Sequence, residues 1–167
     1  MEEIVNKVAQ SGLVTINLED FYDTTECKVM DLKDNLFQGL ILREKDFRAF
    51  VKDHDWNQYE GKNVCLICTA DAIVPTWAFM LAANKLRPHA NRVFYGTPEQ
   101  LQQQIIQEKI DELNPEDYRD GKIVIKGCSK FDVPIGSYVA LTEKLTPVVR
   151  SIMYGEPCST VPIYKRK

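Results

Sequence analysis

From residue 62 onward, short apolar runs alternate with amphipathic segments of helical length, and this alternation limits what the chain can fold into more than any other feature. A wholly apolar run between turn residues is a strand buried on both faces. An amphipathic segment after it is a helix that covers the sheet, so the recurring pair reads as βαβ units. "NVCLICT" (63–69) is the first such strand, and "PTWAFMLAANKL" supplies a helix with Pro75 at its first position and Trp77, Met80 and Leu81 at helical spacing. "NRVFYG" (91–96) is the next strand. Thr97 then offers an N-cap and Pro98 an N1 residue, and Leu101, Ile105, Ile106, Ile110 and Leu113 give the following helix a broad apolar face. Asn114 and Pro115 end it, "GKIVIKG" (121–127) is a β-branched strand, and a third helix runs from Val133 or Pro134 to Leu145. "PVVRSIMYG" (147–155) is a fourth apolar run, readable as a strand or a helical turn. The expected fold is α/β: a three-layer open, mostly parallel sheet of Rossmann-like βαβ units joined by right-handed crossovers.

The first sixty residues follow a different pattern. "EEIVNKVAQ" and "KDFRAFV" look helical and "LVTINL" (13–18) strand-like, while "CKVMDL" and "LFQGLIL" alternate as an edge hairpin would. Residues 1–60 are therefore expected as an N-terminal α+β extension packed on a 61–167 βαβ core. With no linker, internal repeat or low-complexity tract evident, the 167 residues are expected to form a single domain.

Charge and cysteine content narrow the function classes. A formal net charge of -3 does not supply the clustered positive field that a nucleic-acid backbone demands. The terminal "YKRK" reads as a solubilising tail. No apolar stretch is long enough to span a bilayer and no secretory leader is evident, so a cytoplasmic protein without membrane partners is expected. Five cysteines, an odd number, point to reduced thiols that pack, ligate metal or do chemistry.

Ligands of open parallel sheets bind where the strands end at their carboxyl side, and this directs attention to "YGEPCSTVP" near the chain's end. Cys68 closes the first strand, Cys128 follows the third in "GCSK", and Cys158 follows the fourth, so all three are expected at one rim. Around them fall Thr69, Asp71, Thr97, Ser129, Glu156, Ser159 and Thr160. Three thiolates with Asp71 or Glu156 as a fourth ligand suit zinc or an iron–sulfur cluster, and Thr69, Thr97, Ser129 and Ser159 would contact a bound cofactor. Two other readings stand beside this one. Cysteine is also a small buried hydrophobe, which would leave a non-catalytic adaptor. Alternatively, Cys158 or Cys128 could be a nucleophile or sulfur carrier at a helix amino end. In "CLIC" (65–68), residues three apart on a strand point to opposite faces, so Cys65 is expected in the core, and Cys27 likewise as packing or surface. His54 and His89 are expected at the opposite, amino-terminal rim, which weighs against a two-histidine zinc site or a Cys-His pair. Asp71 has a second use as the cap of the helix beginning near Pro75. The glycine-rich dinucleotide fingerprint, the Walker loop and the GxSxG elbow are all missing.

The segments "CTADAIVPTWAFML", "VIKGCSK" and "RSIMYGEPCSTVPIYK" together resemble the uncharacterised Bacteroidetes family known as domain of unknown function 2480. The resemblance spans nearly the whole chain and assigns no catalytic residue. Members of that family are often encoded near iron–sulfur assembly components, so the resemblance implies a role in that pathway and partners among its proteins.

Overall fold

The computed structural model describes residues 13–127, 129–156 and 159–167. The described strands are β1 (Leu13–Asn17), β2 (Cys27–Asp31), β3 (Asn63–Ile67), β4 (Arg92–Tyr95), β5 (Lys122–Lys126), β6 (Ser151–Glu156) and β7 (Ser159–Lys165). The described helices are α1 (Glu44–Asp53), α2 (Thr76–Leu86), α3 (Pro98–Glu112) and α4 (Ile135–Leu145). "EEIVNKVAQ", expected as a helix, lies outside the described residues.

The α/β class and the parallel pairing agree with the sequence reading, but the strands are divided between two sheets where one was expected. One sheet has the order β2-β3-β4, all parallel; the other has the order β1-β5-β6-β7, parallel except for the final β6–β7 hairpin. The chain divides into two compact units with the same membership: unit 1 holds residues up to 23 together with 102–167, and unit 2 holds 24–101. Residues 1–60, read as an extension, thus contribute one strand to each sheet, because β1 pairs with β5 and β2 with β3. Apolar periodicity identifies a strand but carries no information about its partner, which explains why two sheets read as one.

A repeat that the sequence reading missed organises both units. β3, α2 and β4 of unit 2 recur in unit 1 at a constant offset of 59 residues, as β5 (63 to 122), α4 (76 to 135) and β6 (92 to 151). The 3-10 turns Trp56–Tyr59 and Pro115–Tyr118 keep the offset, and so do their caps. Asp55 accepts the Asn57 N–H at 3.1 Å and Asn114 accepts the Glu116 N–H at 3.2 Å. β1 and β2 are a second matched pair, 14 apart (13 to 27). Each is followed by a 3-10 turn capped by its last residue, Asn17 or Asp31.

Packing shows why the repeat holds. In unit 1, Val14 and Ile16 of β1 and Ile123 and Ile125 of β5 alternate onto one sheet face, where they meet Ile106 and Ile110 of α3 and Leu141 and Leu145 of α4. In unit 2, Val64 and Leu66 of β3 meet Phe47 and Val51 of α1 and Ala78, Ala82 and Leu86 of α2. Each fully buried aliphatic side chain contributes about 1.5–3 kcal/mol against exposure. Two sequence expectations need correction here. α2 buries Ala78, Ala82 and Leu86, whereas Met80 is 67% exposed and Trp77 and Leu81 only half-buried; the small residues let the helix lie close to its sheet and turn the larger ones outward. "CKVMDL" and "LFQGLIL" do not form a hairpin: β2 runs parallel to β3, and the later segment makes only isolated bridges, Phe37 to Ile41 and Ile41 to Ile73.

Candidate functional site: an apolar groove on the four-stranded sheet

In unit 1, α4 does not cover its sheet completely. Between its outer side and β5, β6 and β7 lies a groove of about 750 Å³, bordered by Ile125, Tyr138, Val139, Tyr154 and Ile163, with the carboxylates of Asp132 and Glu143 also on its lining. α4 creates it because it is apolar on two sides. Leu141 and Leu145 point into the core at 0% exposure, while Ile135 and Val139, four residues apart on another stripe, are 80% and 63% exposed. The wall opposite the helix ends in β7, which has no counterpart in the other sheet's strand order.

Two aromatic rings line the groove. Tyr138 and Tyr154 meet edge to face with centroids 5.7 Å apart, and the repeat places Phe79 and Tyr95 in the same arrangement in unit 2, at 5.1 Å. The hydroxyl that distinguishes Tyr138 from Phe79 lies against the backbone of Gly127, where any Cβ would collide with it. The residue matching Gly127 in unit 2 is Cys68, and there the phenyl ring of Phe79 has no hydroxyl to accommodate. Cys68 is half-buried against the unit 2 core and its Sγ donates to the Ala70 carbonyl at 3.7 Å.

The loop following β5 is fastened by an acidic residue. Glu19, buried beyond β1, accepts the backbone N–H groups of Lys130 (2.8 Å) and Ser129 and the Ser129 hydroxyl (3.2 Å). The Lys130 and Ser129 donors outweigh desolvation and hold the Glu19 carboxyl below its ordinary range. Tyr22 stacks on Phe131 of the same loop at 4.4 Å. Unit 2 repeats the device with Asp31, whose carboxylate accepts the Thr69 N–H (3.1 Å) and hydroxyl (2.5 Å). Burial pushes Asp31 up, but the Thr69 hydroxyl and the Lys33 and Thr69 N–H groups overcome this, and its carboxyl is held low.

The residues singled out from the sequence distribute as follows. Cys68, Thr69, Asp71 and Thr97 belong to unit 2; Ser129, Glu156, Ser159 and Thr160 belong to unit 1. Cys128 and Cys158 lie outside the described residues. Thr69 and Ser129 hold loops to Asp31 and Glu19, and Thr97 caps α3 through a reciprocal pair in which its hydroxyl accepts the Gln100 N–H and Gln100 accepts its own. Glu156 pairs with Lys126 at 3.5 Å across the ends of β6 and β5, and Ser159 opposes Glu156 in the hairpin ladder. Asp71 is exposed and does not cap α2, whose N-cap is Pro75. Among the described residues, no group of three or more His, Cys, Asp or Glu side chains is gathered as a metal ion requires. Cys65 is fully buried as expected, and His54 and His89 follow helices and precede β3 and β4. The terminal Arg166 is no loose tail: its guanidinium bonds Asp120 at 2.5 Å and the Val148 carbonyl at 2.9 Å.

Sequence reasoning missed the groove residues Tyr138, Val139, Tyr154 and Ile163. The available signal was the second apolar stripe on α4. No described helix is long and apolar enough to cross a membrane. No curated protein and no solved structure matches the chain. A family profile does match, across residues 2–166, and the chain accordingly belongs to the family described as protein of unknown function (DUF2480).

Proposed function

We propose that this protein is a ligand-binding module whose groove in unit 1 takes a small molecule with an apolar body and a hydrogen-bond-donating or cationic end. The observation that carries the reading is the groove itself. Its volume of about 750 Å³ falls within the roughly 300–1,000 Å³ of small-molecule sites, and its lining is mostly apolar with few polar groups. The Tyr138–Tyr154 pair offers ring edges and faces to a flat body, and Asp132 and Glu143 favour a donor over an acceptor at the margin. N-phenyl-1-naphthylamine, a neutral aromatic amine that fluoresces in apolar surroundings, tests it. Saturable enhancement that is lost in Val139→Arg and kept in Met80→Arg, its repeat counterpart in unit 2, supports the reading. Unsaturable enhancement, or enhancement indifferent to Val139→Arg, contradicts it.

A second reading is favoured by a separate observation. Cys128 comes two residues after the end of β5, and Cys158 two after the end of β6; these strands are parallel neighbours whose ends are tied by Lys126 and Glu156. In this reading both thiolates serve a zinc ion or an iron–sulfur cluster, with iron–sulfur assembly proteins as partners. Anaerobic reconstitution with iron and sulfide, and a separate measurement of bound zinc, decide it. Stoichiometric metal that is lost in Cys128→Ser or Cys158→Ser supports it, and no stoichiometric metal under either condition ends it.

A further inference from the structure

Unit 2 holds a pair of thiols that the groove does not use. Cys27 of β2 and Cys65 of β3 lie on neighbouring parallel strands with their sulfurs 3.4 Å apart. Cys65 is fully buried, whereas Cys27 is half-buried and reachable from solvent. Packing alone does not call for cysteine at these positions. The repeat puts Leu13 and Val124 there in unit 1, on strands paired in the same register, so an aliphatic pair completes the equivalent sheet.

We propose that Cys27 and Cys65 are an oxidant-responsive pair that closes to a disulfide when a peroxide reaches Cys27. In the first step the Cys27 sulfur attacks one peroxide oxygen. An S–O bond forms and the O–O bond breaks; the sulfur is oxidised by two electrons to a sulfenic acid, and the peroxide is reduced to water or an alcohol. In the second step the Cys65 sulfur attacks the Cys27 sulfur and displaces its hydroxyl, which leaves as water with the proton from Cys65. Cys27 lies opposite Asn63 and Cys65 opposite Val29, so the pair is diagonal, and the sulfurs close from 3.4 Å to the ~2.05 Å of an S–S bond through side-chain rotation together with a backbone shift of the edge strand β2. Burial, together with the hydrogen bond to Cys27, pushes the Cys65 thiol up to about 12, which keeps it protonated and leaves Cys27 as the thiol that meets the oxidant first. The bond would pin the edge strand β2 to the central β3, and β2 carries at its carboxyl end the Asp31 that fastens the loop after β3 through Thr69.

The test treats the purified full chain with hydrogen peroxide, alkylates the remaining thiols under denaturing conditions and maps peptides without reduction. The expected result is equal loss of alkylation at Cys27 and Cys65, a linked Cys27–Cys65 peptide lacking two hydrogens, and full recovery with dithiothreitol. Cys65→Val, which copies unit 1, is expected to leave Cys27 as a sulfenic acid that dimedone captures; should that variant not fold, Cys27→Ser is expected to leave Cys65 alkylatable at the same peroxide dose. Linkage of Cys27 to another thiol, overoxidation of Cys27 with Cys65 still free, or both thiols untouched at doses that oxidise the other cysteines would overturn the proposal.

Discussion

The two units are one architecture used twice, and they differ where chemistry is available. Unit 1 ends its sheet with β7 and leaves a groove beside α4; unit 2 ends its sheet at β4 and carries a thiol pair at positions where unit 1 has leucine and valine. Shared features such as capped 3-10 turns and loop-fastening carboxylates belong to folding, because both units have them. Features found on one side are the candidates for function.

The largest effect should come from the core position where the repeat differs most. Leu141 and its counterpart Ala82 are both fully buried on the sheet-facing side of their helices. Leu141→Ala is expected to cost about 2–5 kcal/mol in chemical denaturation, while Ala82→Leu overpacks its site for about 1–3 kcal/mol. A cost below about 1 kcal/mol for Leu141→Ala would mean that α4 is not seated as described.

Next come the glycines that follow the two matched tyrosines. Gly96 and Gly155 have φ of +142° and +114°, so alanine at either is expected to cost about 1–3 kcal/mol. The larger loss should fall at Gly155, where a Cβ would lie 2.8 Å from the Ser159 carbonyl oxygen in the hairpin backbone. At Gly96 the obstacles are side-chain atoms, the Gln100 carboxamide oxygen at 2.5 Å and the Phe94 ring at 2.6 Å, which can shift where hairpin backbone cannot. Equal losses would show that backbone conformation alone sets the cost.

The loop fastener predicts a pH dependence with a definite sign. The Glu19 carboxyl is held below its ordinary value of 4.5, so its stabilisation is complete above that value and is lost as pH falls through the lower folded one. Melting temperature measured from neutral pH downward should therefore decline less steeply in Glu19→Gln than in the parent. Parallel profiles would remove Glu19 from this role. Smallest in stability is Val139→Arg, an exposed change expected to alter unfolding by no more than about 0.5 kcal/mol while removing probe binding.

Much of the fold could be read from the residues, because continuous apolar runs such as "NVCLI" and "KIVIK" have few alternatives to buried strands. Pairing could not be read, since β1 finds β5 across more than a hundred residues and no local pattern encodes that choice. The repeat was legible and overlooked: Tyr59 and Tyr118, Pro75 and Pro134, Leu86 and Leu145, Tyr95 and Tyr154, and Gly96 and Gly155 are identical pairs at the same offset. Of the candidate site, Thr97 was correctly read as a cap, whereas the tasks of Thr69 and Ser129 depend on Asp31 and Glu19, which are distant in sequence. The groove escaped notice because helical residues such as Ile135 and Val139 are ordinarily assigned to a core, and only the observed seating of α4 turns them outward.

The most direct measurement is amide chemical-shift mapping of isotope-labelled protein titrated with N-phenyl-1-naphthylamine. The account expects saturable shifts centred on Tyr138, Val139, Tyr154 and Ile163, with the repeat counterparts Phe79, Met80 and Tyr95 unmoved. Shifts of equal size in both sets, or none in the first, would contradict a binding groove particular to unit 1.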